Sequence, residues 1–191
     1  MSQDVQHPDT APSGEIHLVP FSGKVDHILR EAVRIYATVW QRDTEDSFVF
    51  FRNSLDMPEY YGYAAIFQNR VVGFVWGTAS LPGQWWHDKV AQRVNPANPA
   101  LQNAWVLTEL AVLAPYRNQN IGGLLHDRVL ATQPFPNALL STQVSNIGAR
   151  RFYERRGWRY LHRGFAFQRG NQAYAILHKS LTKSPQAGKT D

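Results

Sequence analysis

Residues 108–130 read TELAVLAPYRNQNIGGLLHDRVL, a pattern typical of a strand, a turn and a helix in succession. An apolar strand ends at a turn anchored by Pro115, and an apolar helix begins at Ile121. The turn carries Arg117, several side-chain amides and two glycines. Because the first turn of a helix has unpaired N–H groups and the positive end of the helix dipole, this arrangement favours an anion such as phosphate. A plain strand-to-helix turn is the alternative interpretation.

Three residues of the loop narrow the kind of anion site. Gly122 and Gly123 lack a Cβ and so let a ligand approach the backbone closely, and Arg117 adds a fork of charged donors. No Gly-Lys-Ser/Thr follows, so this is not a Walker loop, and the triple-glycine spacing of a dinucleotide fingerprint is missing. The loop by itself predicts phosphate binding and leaves the ligand open.

The composition is that of one globular domain. The chain has 191 residues, of which 43% are apolar and 13% aromatic, enough for one sizeable core. No apolar run approaches the roughly 18 residues that a membrane span needs. The polar, proline-bearing opening lacks the apolar core of a signal peptide. We therefore expect a domain at residues 14–182 between flexible tails at 1–13 and 183–191.

The chain contains no cysteine. Disulfides, thiolate zinc sites and a cysteine nucleophile are thereby excluded, and the absence of disulfides fits a cytoplasmic protein. We predict no metal site, because the histidines lack the spacing of metal ligands. The histidines considered are His27, His87, His126, His162 and His178.

Hydrophobic periodicity predicts the order β-α-α-β-β-(α)-β-α-β-α-β-β. Residues 25–40 carry the apolar stripe of an amphipathic helix, and two β-branched and aromatic runs joined by residues 68–70 predict a β-hairpin. For the helix that contains the two glycines, the expected buried ridge is Leu124, Leu125 and Val129. Strands precede helices in the middle of the chain and pair as hairpins at both ends, which predicts a mixed sheet with helices on both faces.

Charge is distributed unevenly along the chain. Residues 1–60 carry ten acids and five bases, whereas residues 146–170 carry seven arginines and one acid, Glu154. A solvated helix face is the ordinary interpretation of such arginines, and a phosphate-bearing ligand and nucleic acid are the alternatives. Nucleic acid is disfavoured, because the basic run lacks the interleaved aromatic side chains of a strand-binding groove.

A second motif follows the next predicted strand. Residues 146–158 read NIGARRFYERRGW, a helix that begins at Asn146 and ends at Gly157. Together the two motifs resemble those of the GCN5-related N-acetyltransferase (GNAT) family, and the resemblance covers about residues 15–181. The helix of that family commonly reads Asn-x-x-Ala-x-x-Phe-Tyr-x-x-x-Gly-Phe/Trp. The matching positions are Asn146, Ala149, Phe152, Tyr153, Gly157 and Trp158.

The family binds acetyl-CoA with an Arg/Gln-x-x-Gly-x-Gly/Ala loop. Arg117 and Gly122 match the first and last positions of this pattern, whereas Asn120 stands where the first glycine belongs. Asparagine is the non-glycine residue that best tolerates a left-handed backbone. We therefore expect Asn120 to adopt that conformation, with its amide available to a phosphate oxygen. The substitution bears on the affinity for CoA rather than on the binding mode.

The resemblance implies a fold and a ligand. The fold is a single α/β (mixed α+β) domain, in which a central, mixed, mostly antiparallel sheet of six to seven strands carries helices on both faces. The co-substrate is acetyl-CoA, whose pantetheine arm would pair with the fourth strand and whose pyrophosphate would lie on the loop amides. The implied cofactor-binding residues are Leu110, Ala111, Val112, Arg117, Asn118, Gln119, Asn120, Ile121, Gly122, Gly123, Asn146 and Tyr153.

The resemblance also implies direct transfer of an acetyl group to a primary amine in a ternary complex. A backbone N–H near Val112 would polarise the thioester carbonyl, and Tyr153 would protonate the departing thiolate. A purely packing role for Tyr153 stays open. An alkyl amine is mostly ammonium at neutral pH, because its pKa lies near about 10, so a base or a water relay is required. Glu109, the only carboxylate between Asp88 and Asp127, is the candidate base, and a surface-facing β position is its alternative role.

In the family, the first two helices and the hairpins line the acceptor cleft. This would place an acidic region beside the acceptor, formed by Asp43, Glu45, Asp46, Asp56 and Glu59. We predict a small cationic amine as acceptor, and a small polyamine, an aminoglycoside-like molecule and a peptide N-terminus all stay open. Residues 81–101, which include Trp85 and Trp86, are the expected specificity element or lid.

Other partners are constrained less sharply. Nucleic acid and membranes are not expected partners, and a homodimer stays open. A non-catalytic acyl-CoA sensor of the same fold is the alternative to an enzyme.

Overall fold

The computed structural model describes residues 14–22 and 26–181. Both predicted tails, 1–13 and 183–191, lie outside the described residues. The elements follow the predicted order: β1 (His17–Pro20), α1 (Asp26–Trp40), α2 (Thr44–Leu55), β2 (Tyr61–Phe67), β3 (Arg70–Ser80), α3 (Trp85–Val94), β4 (Ala104–Val112), α4 (Ile121–Thr132), β5 (Asn137–Gln143), α5 (Ile147–Arg155), β6 (Arg159–Ala166) and β7 (Ala173–Ser180). Two short 3-10 helices, Pro99–Leu101 and Ala114–Tyr116, precede β4 and α4.

The seven strands form one sheet in the order β1-β2-β3-β4-β5-β7-β6. Only β4 and β5 are parallel, and every other neighbouring pair is antiparallel. This confirms the predicted mixed, mostly antiparallel sheet. The parallel pairing joins residues 104–106 to residues 137–139 and then stops. Beyond that point no ladder joins the described parts of the two strands, so the sheet opens into a wedge between β4 and β5.

Local backbone chemistry sets the hairpin and the bend of β4. At the tip of the β2–β3 hairpin, Gln68 and Asn69 both have positive φ, 46° and 60°, as the tightest hairpin turns require. Trp76 lies opposite Glu109 but the next residue of β3 lies opposite Leu107, so Thr108 is the extra residue of a β-bulge. A bulge bends its strand and is common beside active sites, and this one lies where the wedge begins.

Helices cover both faces of the sheet, as predicted. The helices α1 and α2 bury one face, where Phe51, Phe74 and Trp76 form the centre of the core. On the other face, Leu125 of α4 and Trp158 after α5 are buried against the inner strands. A third, smaller cluster packs α3 against the middle of the sheet.

The buried ridge of α4 differs from the prediction at one position. Leu125 and Val129 are fully buried as expected, but Leu124 is 42% exposed. The ridge consists of Ile121, Leu125 and Val129, because residues four apart lie on one helix face. Leu124 is turned about 100° from Leu125 around the helix and faces away from the core.

No helix in residues 14–22 and 26–181 is long and apolar enough to cross a bilayer.

Candidate active site

The loop before α4 has the conformation expected of an anion cradle. Asn120 is left-handed, with φ 60° and ψ 9°, as expected for the residue that replaces glycine. Asn118 is also left-handed, with φ 62°. The Asn120 side chain at the N-cap makes no capping hydrogen bond to the first turn of α4, so N–H groups of that turn are left for a ligand. A cavity of about 430 Å³ lies against this turn and is lined by Arg117, Gly122 and the end of α5.

The two adjacent glycines have different roles. A Cβ added at Gly122 would meet nothing closer than 3.8 Å, so this position opens to the cavity. A Cβ at Gly123 would collide with Arg156 Nη2 and Asn120 Oδ1. Gly122 therefore allows the close ligand approach that the sequence suggested for both glycines. Gly123 instead makes room for two side chains of the protein itself.

The wedge leaves backbone groups of β4 without a strand partner. The Leu113 N–H donates to β3 at 2.9 Å, and successive residues of an antiparallel strand direct their groups to opposite sides. Val112 and Leu110 therefore turn toward the wedge, while Ala111 bonds to β3. The Val112 carbonyl accepts a 2.9 Å hydrogen bond from Arg117 Nε. The strand residues expected to meet a ligand were Leu110, Ala111 and Val112. Of these, Leu110 and Val112 direct backbone groups into the wedge.

Glu109 is a half-buried carboxyl in a cleft lined mainly by apolar groups. It makes no hydrogen bond or ion pair with the residues that the structure describes. Burial raises the pKa of Glu109 to about 8, and Arg42 acts in the opposite direction. Burial, and after it the charge of Glu109, raises the pKa of Tyr36 to about 12. A carboxyl with a pKa in this range is suited to accept a proton near neutral pH.

Tyr153 lies on α5 and belongs to the core cluster that also contains Leu107 of β4 and Leu140 of β5. Its ring packs edge-on against Phe152 and Trp158, with centroid distances of 5.1 Å and 5.7 Å. Burial, and after it the charge of Glu109, raises the pKa of the Tyr153 phenol. The hydroxyl donates to none of the described residues. Tyr153 is thus a core aromatic whose proton stays on the oxygen and is not held by another side chain.

The predicted acceptor region contains a cleft of about 410 Å³. Phe50 and Trp76 from one side and Trp85 and Trp86 from the predicted insertion line it, with Glu109 between them. The predicted acidic surroundings are not part of its lining. Among the acids named from the sequence, Asp43 accepts hydrogen bonds from the Glu45 and Asp46 N–H groups at the start of α2, and Glu59 accepts one from Tyr61.

The family model for the acetyltransferase (GNAT) family matches residues 25–158. The chain belongs to the GNAT family. This confirms the resemblance carried by the loop and by the α5 motif, and the match covers both of them.

A relative of known sequence agrees with the family assignment. The GCN5-like protein acetyltransferase Rv2170 of Mycobacterium tuberculosis is 33% identical over 121 residues, which are 58% of this chain and 59% of that protein. The chain thus spans about three fifths of the length of that relative.

Solved structures of GNAT proteins share the fold. An aminoglycoside 6′-acetyltransferase type Ii aligns with a TM-score of 0.67 at 17% identity, over 88% of this chain and 99% of that one. An aminoglycoside 6′-N-acetyltransferase complexed with coenzyme A aligns with a TM-score of 0.65 at 14% identity, over the same shares. The enzyme from Enterococcus faecium aligns with a TM-score of 0.62 at 16% identity, again over 88% and 99%. At these identities the likeness shows the fold alone.

Arg156, at the end of α5, contacts the loop before α4, and the sequence did not single it out. Its Nη2 donates to Asn120 Oδ1 at 3.2 Å, and its Cζ lies 4.1 Å from the centroid of the Phe152 ring. Its Nε lies 3.8 Å from Asp127 Oδ1 and is buried without a hydrogen bond to the described residues. The excess of arginine in residues 146–170 was the signal, but only the fold shows which arginine reaches the loop.

Two other predicted positions have structural partners. The Asn146 side chain accepts a 3.0 Å hydrogen bond from the Ala149 N–H and caps α5, as the motif predicts. Arg150, from the basic run, donates to the Tyr160 hydroxyl and to the Val144 carbonyl at 2.8 Å and 3.0 Å. Part of the basic run therefore stabilises the fold around α5.

Proposed function

We propose that this GNAT protein transfers an acetyl group from acetyl-CoA directly to a primary amine. The observation that carries the proposal is the wedge between β4 and β5. Glu109 and the Tyr153 hydroxyl, both without a hydrogen-bonding partner among the described residues, lie near enough to interact electrostatically. A proton acceptor and a proton donor close to each other, beside unpaired backbone N–H groups of β4, are the parts that acyl transfer requires.

The loop and β4 are the proposed binding surface for acetyl-CoA, which supplies an activated acyl group as a thioester. The pyrophosphate fits the uncapped first turn of α4, where Gly122 leaves the backbone accessible. Ile121 begins that turn, and Asn118 and Gln119 lie in the loop just before it. The pantetheine arm fits the free edge of β4 at Leu110 and Val112, as an added strand would.

Proton transfer defines the proposed roles of Glu109 and Tyr153. Glu109, with a pKa of about 8, takes a proton from the acceptor ammonium, directly or through water. The amine nitrogen then forms a bond to the acetyl carbonyl carbon, and the carbon–sulfur bond breaks. The Val112 N–H stabilises the charge that develops on the carbonyl oxygen. The Tyr153 hydroxyl gives its proton to the departing thiolate, since burial keeps the phenol protonated.

A thiol-release assay with acetyl-CoA over a panel of amines tests the proposal. We expect CoA release that depends on the amine, together with saturable acetyl-CoA binding by calorimetry. Glu109→Gln should lower kcat/KM for the amine while leaving acetyl-CoA binding intact. Acetyl-CoA binding without turnover of any amine would indicate a sensor domain instead. Absence of acetyl-CoA binding would contradict both functions.

A further inference from the structure

Resting on the proposed transfer to an amine, the geometry points to an acceptor that presents one ammonium on an apolar stem. The acceptor cleft contains one acidic side chain, Glu109, among the described residues that line it. The other side chains around the carboxyl are large and apolar, or are uncharged. The chemistry of this cleft therefore matches a single positive charge followed by hydrocarbon, and it differs from the chemistry that a polycation needs.

The walls of the cleft are held in place by contacts within the protein. Trp86 Nε1 donates to Ser141 Oγ of β5 at 3.2 Å, which links the indole on one side of the cleft to the sheet. On the opposite side, the rings of Phe50 and Trp76 lie 5.7 Å apart between centroids, and Phe50 stacks on Tyr36 at 5.5 Å. Fixed aromatic walls favour an apolar stem, because the surface that they bury against it is already ordered.

The rim of the cleft is apolar as well. Few large hydrophobic side chains of the described protein are exposed, and two of them, Phe50 of α2 and Trp85 at the start of α3, belong to this cleft. Trp85 is 54% exposed. An apolar rim that continues into an apolar cleft indicates that the acceptor stem extends along it.

The acids that would receive further ammonium groups are used elsewhere. Asp43 caps α2 and Glu59 binds the Tyr61 hydroxyl, and neither lines the cleft. A second ammonium inside the cleft would lose its hydration without gaining a carboxylate, which is unfavourable. The first ammonium pairs with Glu109 and gains from the aromatic faces around it.

A matched pair of amines tests this inference. Pentylamine and 1,4-diaminobutane have the same number of heavy atoms, and the diamine carries a second ammonium in place of the terminal methyl group. We expect kcat/KM for pentylamine to exceed that for the diamine at least 10-fold in the thiol-release assay. Equal rates, or turnover confined to diamines and aminoglycosides, would overturn the inference. If no amine is acetylated, the proposed transfer itself is wrong.

One ammonium on an apolar stem occurs both in small free amines and in lysine side chains. Phenethylamine represents the first source, and Nα-acetyl-lysine amide, with one free ammonium on four methylene groups, represents the second. Turnover of at least one at the rate of pentylamine or above supports the inference, and the ratio of the two identifies the source. Rates for both at or below that of 1,4-diaminobutane would contradict it.

A variant with a second carboxylate tests the role of charge in the cleft. Gln84 lines the cleft, and its Oε1 accepts a 2.8 Å hydrogen bond from the Leu81 N–H. Gln84→Glu keeps the shape and that acceptor while adding a negative charge. We expect the preference for pentylamine over the diamine to shrink at least threefold, with acetyl-CoA affinity unchanged. An unchanged preference in a folded variant that still turns over amines would contradict the inference.

Discussion

Arg156 donates a 3.2 Å hydrogen bond to Asn120, so the residue that replaces glycine in the loop is tied to the end of α5. The pair occupies the space beside Gly123, where a Cβ would collide with both side chains. Arg156 also lies within ion-pair distance of Asp127 and stacks on Phe152. The guanidinium is therefore held at the edge of the proposed phosphate cradle before any ligand binds.

Gly123→Ala is expected to displace the Arg156–Asn120 hydrogen bond and weaken acetyl-CoA binding. A typical hydrogen bond contributes about 1 kcal/mol, so we expect a dissociation constant raised roughly fivefold in calorimetry. Gly148→Ala is the matched control, because a Cβ there would meet only Asn146 Oδ1 at 3.8 Å. Equal affinities of the two variants would show that the pair does not support the cradle.

Gly122→Asp is expected to abolish tight acetyl-CoA binding without unfolding the protein. The space at Gly122 admits a side chain, but a carboxylate there would face the proposed pyrophosphate and repel it. We expect the dissociation constant to rise at least about 10-fold, which corresponds to ~1.4 kcal/mol. Gly122→Ala separates bulk from charge and should bind more tightly than the aspartate variant. Unaltered binding by Gly122→Asp would place the phosphates elsewhere.

The pH dependence of transfer should follow Glu109. The free enzyme needs the ionised carboxylate, so kcat/KM for the amine should rise with pH and level off above about pH 8, the pKa of Glu109. Glu109→Gln should lower kcat/KM and remove this rise. An unchanged profile in the glutamine variant would assign the base to another group.

The free energy of unfolding should change with pH in the direction opposite to kcat/KM, because of the same carboxyl of Glu109. Its pKa is higher in the folded protein, about 8, than its ordinary value of 4.5, so the folded state binds the proton more tightly. The free energy of unfolding should therefore fall as pH rises between these two values. Denaturation by urea at several pH values should show a flatter curve for Glu109→Gln than for the wild type. Parallel curves would mean that Glu109 is not desolvated.

Tyr153→Phe is expected to slow the transfer and leave the fold intact. The hydroxyl donates to none of the described side chains, so its removal breaks no bond within them. Loss of a general acid typically costs about 10²- to 10⁴-fold in rate, and we expect a fall in kcat with an unchanged acetyl-CoA dissociation constant. Tyr160→Phe is the control, because that hydroxyl bonds Arg150 and Glu154 instead. Full activity of Tyr153→Phe would leave Tyr153 with a packing role only.

His126 should stabilise the junction between α4 and α5. Trp158 Nε1 donates to His126 Nε2 at 2.9 Å, so the ring proton is on Nδ1, 2.6 Å from Asp127 Oδ1. His126→Leu leaves the buried indole N–H unpaired and should cost about 1–3 kcal/mol in unfolding free energy. Adding Trp158→Phe removes that donor, so the double variant should lose less than the sum of the two single changes. Strict additivity would show that the two rings are not coupled.

Local features of the chain were predictable because they depend on neighbouring residues. The left-handed conformation of Asn120, the hairpin at residues 68–70 and the cap formed by Asn146 follow from backbone chemistry and short motifs. The order of elements follows from hydrophobic periodicity. The exposure of Leu124 did not follow from this periodicity, because a shift of one residue along a helix turns a side chain by about 100°.

Contacts between distant elements were not predictable in the same way. The lining of the cleft around Glu109 depends on which side chains of α2 and α3 meet across the sheet, and none of the acids near residue 45 is part of it. The roles of Gly123 and Arg156 depend on the approach of α4 to α5. The hydrogen bond from Trp86 to Ser141 joins an insertion to a strand that follows it by 55 residues.

The family, the order of strands and helices, and the left-handed loop before α4 follow from the sequence, since each depends on short-range periodicity and motifs. The place where β4 and β5 separate, the arginine that reaches the loop and the apolar cleft around Glu109 are visible only in the folded protein. These three properties arise from packing between segments far apart in the chain, and the burial that this packing produces raises the pKa of Glu109.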